Sequence, residues 1–576
     1  MTQLRARHSN GGPNQPKDSR HSGDPKPKSA HGFPGFPKSC DPRMEADTGR
    51  IIYDIPPLPS WEVAAYFAVW IGHSIYACYL VWEASASYRD QIWGGFFEPG
   101  RAFLGRRRKD MSNYEWNVAS RQCLEHLPWY LAHSVLQNLP EKFLVITPSR
   151  RTYHEGLMLA FWLLATARLY SLATLACCLA FGLILLAVAS LGQKLLIWLV
   201  SSGLLILMGL FANTYLADSV DLYLLYSSQV LIAYKLIQYI SFTLYDIDRC
   251  RSGTCQSSGA GEAPPPAPPY SNAYWSKAYH LFGYAFYLPY STSLIVLYPQ
   301  FLEQQTAART AGRSRDWPAL AWLILRVFFW ALVCDVLLHY VYFNALFSDF
   351  ILLTRVPLPL LCALGYTVGQ FFQMKYMVIF GLPSIFAFLD RMEPPWPPIC
   401  ISRVALYSQM WRYFDRGLYA FMRDAIFLPI ARPDFTHGKR FLGTLLCFGF
   451  VWLWHTPTYH YFIWIALNFL EINLENLGKQ LYRTGWFYHR IESRLSRANF
   501  RRLAAVTHIP CVALGIFAIW YFLGGESGSV IFRRIIVGEA LQFSRVAFYL
   551  YGLGYCYAQC CMEFQRWEAQ RRKSTT

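Results

Sequence analysis

The sequence has few charged residues, since Asp, Glu, Lys and Arg together make up only 15% of its 576 positions. A soluble protein of this length carries about a quarter charged residues. The hydrophobic fraction is 54%, and the chain contains 20 Trp, 38 Tyr and 41 Phe. Several apolar runs reach the roughly 20 residues that cross a bilayer, and Trp and Tyr favour the membrane–water interface. The composition therefore argues against a soluble globular protein and predicts a polytopic membrane protein.

The sequence also lacks the motifs of several large enzyme and transporter classes. It contains no nucleotide-phosphate loop, no Gly-x-Ser-x-Gly elbow, no His-Glu-x-x-His zinc motif and no extended arginine-rich voltage-sensor helix. Its 15 cysteines include no Cys-x-x-Cys pair, so neither a zinc finger nor a disulfide framework is predicted. No internal repeat is visible, although many transporters are built from inverted repeats.

The net charge of +17 is concentrated in short basic clusters. These clusters lie in the N-terminal arm, in Arg106–Lys109 and in the C-terminal tail. Basic clusters beside membrane spans are retained in the cytoplasm and are attracted to anionic lipid. We therefore interpret them as topology signals at the membrane surface, and no nucleic-acid partner is predicted.

The hydrophobic pattern predicts an all-α protein with about ten transmembrane helices plus one or two re-entrant or interfacial helices. Residues 1–55 are rich in Pro, Gly, Ser, His and Lys and are predicted to be a disordered arm. The membrane domain covers residues 56–565 and contains a flexible Ser/Gly/Pro-rich loop at 248–275, and residues 566–576 form a basic tail. Tyr114–Leu139 has the pattern of an amphipathic interfacial or re-entrant helix. The predicted spans are Trp61–Trp82, two or three within Leu157–Phe211, Asp221–Tyr245, Tyr279–Phe301, Trp317–Phe347, Val356–Gln373, Tyr376–Leu389, Val404–Pro429, Phe441–His455, Tyr461–Leu477, Leu503–Leu523 and Leu541–Met562.

Two ionisable residues lie in apolar surroundings in the C-terminal half of the chain. His455 stands near the end of the tryptophan-rich run Phe448–Pro457, and Asp415 lies upstream in a similarly apolar segment. Ionisable groups inside a bilayer are costly and usually face a cavity or a partner. The pair therefore indicates a site with acid and imidazole chemistry. A structural hydrogen bond to His455, and an ion-paired face of Asp415 with Arg412 and Arg416, are the alternative interpretations.

A second polar pair, Asp335 and His339, has i, i+4 spacing in the predicted span Trp317–Phe347. It is either a proton relay or a polar pair that holds helices together, and we favour the second interpretation. A relay through these two residues with Asp415 and His455 is what an ion-coupled transporter would use.

Several segments resemble the membrane-bound O-acyltransferase superfamily, and within it the Hedgehog acyltransferase family. The matching segments are Met410–Leu418, Trp454-His455, Trp464–Asn468, Val378–Pro383, Leu389-Asp390 with Pro394-Pro395, and Phe522–Gly525. The resemblance begins near Trp61 and covers most of the chain after the N-terminal arm. It implies a bundle of transmembrane helices around a central tunnel.

The resemblance further implies a protein N-palmitoyltransferase in the endoplasmic reticulum membrane, or in the Golgi. Such an enzyme transfers palmitate from palmitoyl-CoA to the N-terminal cysteine amine of a secreted signalling protein, either a Hedgehog protein or an EGF-like ligand. Superfamily members that acylate lipids or serine carry Asn where this chain has Asp415, so the acid favours an amine acceptor. The alternatives are acylation of a lipid or serine hydroxyl, a proton- or ion-coupled transporter, and a non-catalytic scaffold that binds secretory proteins.

The same resemblance implies roles for individual residues. Asp415 is expected to accept the proton of the attacking amine, and His455 to donate a hydrogen bond to the thioester oxygen; the reversed assignment is the alternative. Cys400 aligns with the cysteine that ligates haem in the family, which makes haem a candidate cofactor. The expected substrate-binding residues are Trp411, Arg412, Trp454 and Asn468.

Overall fold

The computed structural model describes residues 55–575, apart from 106, 144–147, 212–220, 254–270, 272, 311–315 and 405. The predicted disordered arm and most of the predicted loop at 248–275 lie outside the described residues. The described part is helical except for connecting segments and one antiparallel hairpin of β1 (Phe97–Pro99) and β2 (Arg108–Asp110), in which Glu98 faces Lys109.

The α-helices are numbered in chain order. In the described residues they are α1 Ser60–Ser87, α2 Tyr114–Phe143, α3 Pro148–Leu169, α4 Leu172–Ala189, α5 Lys194–Phe211, α6 Leu222–Gly253, α7 Tyr274–Ala285, α8 Tyr298–Thr310, α9 Trp317–Tyr340, α10 Phe343–Ser348, α11 Phe350–Leu353, α12 Leu358–Ile379, α13 Gly381–Leu389, α14 Tyr407–Tyr413, α15 Arg416–Phe421, α16 Leu428–Ala431, α17 His437–Trp454, α18 Tyr459–Arg483, α19 Gly485–Arg490, α20 Arg497–Gly524, α21 Glu526–Phe532 and α22 Arg545–Thr575. Short 3₁₀ segments are Gly94–Phe96, Ala102–Leu104, Leu288–Tyr290, Ile401–Arg403 and Glu492–Arg494, and π-helical segments are Met422–Phe427 and Arg533–Ala540.

The protein is an all-α polytopic membrane protein, as predicted. Within the described ranges, six helical stretches are long and apolar enough to cross a membrane. They are Ser60–Ser87, Leu172–Ala189, Leu222–Arg251, Trp317–Tyr340, Leu358–Leu389 and Arg497–Gly524. The third stretch, in α6, is the most enclosed, with 72% of its apolar window buried, whereas only 6% of the window in α1 is buried. α6 therefore lies inside the bundle, and the outer face of α1 is free to meet lipid.

The prediction of one span over Tyr279–Phe301 is wrong. α7 ends at Ala285, and the chain continues through the 3₁₀ turn Leu288–Tyr290 and an irregular segment before α8 begins at Tyr298. The residues of this break are almost all buried, so their carbonyl groups need partners inside the protein.

Two polar residues of α6 supply those partners. The fully buried Lys235 Nζ donates to the carbonyl oxygens of Ala285 and Ser291, the second at 2.8 Å. Gln238 Nε2 donates to the carbonyl oxygen of Tyr290 at 2.8 Å. Because these donors satisfy the backbone groups that leave the helix, the chain can break inside the bundle.

The prediction of one helix over Val404–Pro429 is also wrong, because the chain breaks at Asp415. The carboxylate Oδ1 of Asp415 accepts a hydrogen bond from the backbone N–H of Leu418 at 2.9 Å and so caps α15. Asp is favoured at such a cap and disfavoured in a helix interior. Gly417 packs against the irregular segment before α8, since a Cβ at this position would lie 2.1 Å from the carbonyl oxygen of Ile295.

Asp335 and His339 hold the β-hairpin region against α9. The Asp335 carboxylate is 2.9 Å from both Arg101 Nε and Lys109 Nζ. His339 Nε2 accepts a hydrogen bond from the backbone N–H of Arg101 at 3.1 Å. The packing role favoured for this pair therefore agrees with its contacts, although the partners come from the hairpin.

Candidate active site

Asp415 and His455 line one cavity of about 560 Å³ in the interior of the bundle. The break between α14 and α15 supplies Asp415, and the C-terminus of α17 supplies His455. Asp415 and His455 are both partly accessible, because they face this cavity. Other parts of the wall come from α2, α6, α12 and α20, through residues that include Glu115, Tyr234, Lys375, Tyr376 and Phe522.

His455 is positioned by a helix end and by aromatic packing. α17 stops at Trp454, because Thr456 has a φ of 73° and Pro457 has no backbone N–H to continue the helix. The centroid of the imidazole ring lies 5.2 Å from that of Trp464 and 5.4 Å from that of Phe522, with the rings nearly perpendicular. These contacts restrain the plane of the imidazole at the cavity wall.

Trp454 fastens the same helix end to the central helix α6. Its indole Nε1 donates to the carbonyl oxygen of Ala233 at 3.1 Å, and its ring meets Tyr234 edge-on with centroids 5.2 Å apart. Trp454 and Tyr234 both line the cavity. The predicted substrate-binding residue Trp454 therefore contributes part of the wall next to the imidazole.

A hydrogen bond to Asn468 orients the Trp411 side chain. The Trp411 Nε1–H donates to Asn468 Oδ1 at 2.9 Å, and the Trp411 ring stacks on Trp464 with centroids 5.8 Å apart. Asn468 is fully buried, and its Nδ2 donates to the carbonyl oxygen of Trp464. Asn468 was predicted to bind substrate. It lies behind the cavity wall instead and orients Trp411.

A second cavity of about 680 Å³ adjoins the first, and Trp411 lines both. Its walls come from α14, α17, α18 and the π-helical segment between α15 and α16. The exposed Arg412 lines this second cavity together with Arg423, His437 and Arg440. The second cavity is therefore basic, and Trp411 forms part of the boundary between it and the cavity that holds Asp415 and His455.

The first cavity contains a buried ion pair that was not predicted from the sequence. Lys375 Nζ is in close contact with Glu115 Oε2, and the Tyr376 hydroxyl donates to Glu115 Oε1 at 2.6 Å. The exposed fraction of the side chain is 2% for Lys375 and 31% for Glu115, the latter at the wall of the cavity. Lys375 is the sole charged residue of α12, and this isolated charge was the signal that could have identified the pair.

A family model described as MBOAT, membrane-bound O-acyltransferase family, matches residues 186–518, more than half of the chain. The chain belongs to the membrane-bound O-acyltransferase family. This membership confirms the resemblance given above and the prediction of an acyltransferase, and it agrees with the multi-pass helical fold.

Three relatives of this membrane-bound O-acyltransferase have names that describe an activity. Protein-cysteine N-palmitoyltransferase HHAT of Mus musculus is 27% identical over 516 residues, which cover 87% of this chain and 97% of the mouse protein. Protein-cysteine N-palmitoyltransferase Rasp of Drosophila melanogaster is 26% identical over 509 residues, covering 87% and 94%. The HHAT-like protein of Mus musculus is 26% identical over 291 residues, covering 50% of this chain and 56% of that protein.

Cys400 of this acyltransferase lies apart from both cavities. It is exposed and precedes the 3₁₀ segment Ile401–Arg403. Among the residues that the structure describes, no group of three or more His, Cys, Asp or Glu side chains is arranged to hold a metal ion. The surroundings of the Cys400 thiol therefore give the haem prediction no support.

Proposed function

We propose that this acyltransferase is a protein N-palmitoyltransferase of the endoplasmic reticulum membrane. It transfers palmitate from palmitoyl-CoA to the N-terminal cysteine amine of a secreted protein of the Hedgehog type. The observation that carries the proposal is the presence of Asp415 and His455 in one cavity that adjoins a second, basic cavity. The names of the relatives from mouse and fruit fly support the same activity.

The second cavity is suited to the nucleotide end of the acyl donor. Arg412 and Arg440 present guanidinium groups to it, and guanidinium groups bind phosphate oxygens in a fork geometry. The apolar side chains that α17 and α18 contribute to this cavity, which include Phe448 and Ile472, provide contacts for the acyl chain. A palmitoyl chain has about 15 carbons beyond the carbonyl, so its burial is worth roughly 12 kcal/mol at about 0.8 kcal/mol for each CH₂. The thioester is then expected at Trp411, where the two cavities meet.

The amine of the acceptor must lose a proton before it attacks. A free α-amine has a pKa of about 7.7–8.0 and is mostly protonated at neutral pH. Asp415 would bind the ammonium group and accept its proton, and the nitrogen would then attack the thioester carbonyl carbon. Glu115 is less suited to this role, because its oxygens already accept hydrogen bonds from Lys375 and Tyr376.

The remaining steps complete an acyl transfer. A neutral imidazole N–H of His455 would donate to the carbonyl oxygen as negative charge develops there. The tetrahedral intermediate loses the second amine proton to water and collapses when its C–S bond breaks, which forms the amide and releases the CoA thiolate. The proton held by Asp415 passes to that thiolate, so CoA leaves as the thiol and the enzyme returns to its initial state.

Two variants of the full-length protein test this proposal. Asp415→Asn and His455→Ala are purified in detergent and supplied with labelled palmitoyl-CoA and a peptide that has a free N-terminal cysteine. Loss of a general base or an oxyanion donor lowers such rates by about 10²–10⁴-fold. Wild-type rates in either variant would remove that residue from the catalytic assignment.

Matched controls separate chemistry from folding and from acceptor choice. Asp434→Asn and His489→Ala change the same residue types at exposed positions and should retain the wild-type rate. Acetylation of the peptide N-terminus should abolish transfer. Efficient transfer to a serine hydroxyl or to a lipid, with none to the free amine, would favour the alternative acceptor class.

A further inference from the structure

A third cavity, of about 500 Å³, lies near the other end of α2 from Glu115. Gln137 of α2 lines it, and 22 residues of helix separate Gln137 from Glu115, which is about 33 Å at 1.5 Å per residue. Its remaining walls come from α3, α7, α8, the segment between α7 and α8, and the residues that follow α13. The residues assigned to palmitoyl transfer do not line this cavity, so it requires a separate explanation.

One part of the third cavity is an aromatic box beside a carboxylate. The ring of Tyr287 has its centroid 5.6 Å from that of Trp162, which is nearly perpendicular to it, and 5.6 Å from that of Phe301, which is tilted by 56°. The Tyr287 hydroxyl donates to Asp390 Oδ2 at 2.6 Å. All three residues line the cavity, and an aromatic ring face that is open to a cavity attracts a cation.

The three side chains that donate hydrogen bonds to Asp390 are neutral, whereas its chain neighbour Arg391, which lines the same cavity, is a cation. The Asp390 side chain is 4% exposed, and it accepts from His133 Nε2 at 2.7 Å, Tyr287 Oη at 2.6 Å and Asn138 Nδ2 at 3.1 Å. The indole N–H of Trp162 donates to His133 Nδ1 at 2.9 Å. Because an indole N–H can only donate, Nδ1 carries no proton, and His133 is a neutral imidazole with its proton on Nε2. The site therefore places a carboxylate charge next to aromatic rings.

The other part of the third cavity carries excess positive charge. Arg309 of α8 is 2.7 Å and Arg151 of α3 is 3.4 Å from the same Glu155 carboxylate oxygen, so two guanidinium groups share one acid. Glu155 and Trp162 are seven residues apart on α3, which is two turns or about 10 Å. The cavity thus runs from a basic rim to the aromatic box.

We propose that this third cavity binds the phosphocholine headgroup of a membrane phospholipid. The quaternary ammonium would occupy the aromatic box near Asp390, and the phosphate would meet Arg151 and Arg309 at the rim. A trimethylammonium group has no N–H donors, so it needs no free lone pairs on the Asp390 oxygens. This matches Asp390, whose oxygens already accept three hydrogen bonds, better than a primary ammonium with three N–H donors does.

The test measures lipid binding to the full-length protein purified in a maltoside detergent. Native mass spectrometry gives the affinities for phosphatidylcholine, phosphatidylethanolamine and phosphatidic acid. The wild type should prefer phosphatidylcholine over phosphatidylethanolamine by about tenfold, which corresponds to roughly 1.4 kcal/mol. Equal affinities for these two lipids would overturn the proposal.

Two variants probe the two ends of the headgroup. Arg309→Gln removes a rim cation and should weaken phosphatidylcholine and phosphatidic acid alike. Asp390→Asn removes the buried charge while keeping the side-chain shape, and it should weaken phosphatidylcholine while leaving phosphatidic acid unchanged. The control Arg168→Gln alters an exposed residue of α3 outside the cavity and should change neither affinity. Equal losses in Arg309→Gln and Arg168→Gln would also overturn the proposal.

Folding and the source of the headgroup are checked in the same preparations. Arg309 is 31% exposed, so its substitution keeps the proposal falsifiable even if Asp390→Asn does not fold. Free phosphocholine is added as a competitor. Binding of phosphatidylcholine, with or without displacement by phosphocholine, identifies the membrane as the source. Binding of phosphocholine alone, lost in Arg309→Gln, identifies a soluble source of the same chemistry. If neither phosphatidylcholine nor phosphocholine binds, the proposal of a phosphocholine site is wrong.

Discussion

Substitution of Glu115 by Gln should destabilise the protein more than substitution of its partner Lys375 by Met. Glu115→Gln leaves the ammonium of Lys375, which is 2% exposed, without an anionic partner in the bundle interior. Removing one partner of a buried ion pair typically costs roughly 3–5 kcal/mol, because the remaining charge is desolvated and unpaired. The rings of Phe372 and Tyr376, at 5.6 and 5.9 Å from Lys375 Nζ, compensate only part of this loss.

Lys375→Met leaves a carboxylate that is better accommodated. Glu115 is 31% exposed at the cavity wall, and it keeps the hydrogen bond from Tyr376 at 2.6 Å. We therefore expect a loss of about 1–2 kcal/mol for Lys375→Met, the cost of a partly satisfied polar group. The double variant carries no buried charge at this place and should recover most of the stability lost in Glu115→Gln.

Thermal unfolding of the purified variants, followed by tryptophan fluorescence, checks this order. The midpoint of thermal unfolding should be highest in the wild type, lower in the double variant and lowest in Glu115→Gln. Substitutions at the surface pair Lys194–Asp248, with side chains 36% and 58% exposed, should change it little, because exposed pairs contribute about 0–1 kcal/mol. If the losses of the two single variants simply add in the double variant, the ion pair does not carry the stability assigned to it.

Three further results are expected. Lys235→Met should lower the midpoint of thermal unfolding far more than Lys194→Met. Loss of the Lys235 ammonium leaves two buried carbonyl groups unpaired, which costs about 1–3 kcal/mol for each group. Equal shifts in the two variants would contradict the role of Lys235 in the break before α8. Asn468→Leu should lower the palmitoyl transfer rate of a folded protein, because the Trp411 indole loses its acceptor, and an unchanged rate would show that this contact is dispensable. Arg440→Gln should raise KM for palmitoyl-CoA with little change in kcat. The control Lys439→Gln, which alters a residue paired with Asp434 outside the second cavity, should leave KM unchanged, and equal effects of the two variants would argue against phosphate binding in the second cavity.

Helix type and approximate position followed from the sequence where the apolar pattern was uninterrupted. The span over Trp61–Trp82 corresponds to α1, and the helix containing Lys235 and Gln238 corresponds to α6. The prediction failed where tertiary contacts decide the backbone. Residues 286–297 are apolar enough to continue a helix, and what allows them to leave it is a lysine located some fifty residues earlier in the chain. Composition and periodicity contain no information about such a distant donor.

The candidate site, too, was predictable from the sequence only in part. Asp415 and His455 were identified because each is an isolated ionisable group in apolar sequence, and they line one cavity. Asp415 proved to be a helix cap at a break, which its position between Arg412 and Arg416 did not indicate. Glu115 was assigned to an amphipathic face, because its partner Lys375 lies 260 residues away in the chain. The residue pairs that build the cavity are joined only by the packing of distant helices.

Trp411 belongs to two chambers at once, and this makes their occupancies interdependent. A rotation of the indole that enlarges one chamber takes volume from the other, so a molecule that enters first alters the room left for the second. If donor and acceptor occupy the two chambers as proposed, their order of binding depends on one rotamer, which Asn468 and Trp464 hold in its present state. A change at either of those neighbours would appear in the kinetics as a change of binding order before it appeared as a loss of turnover.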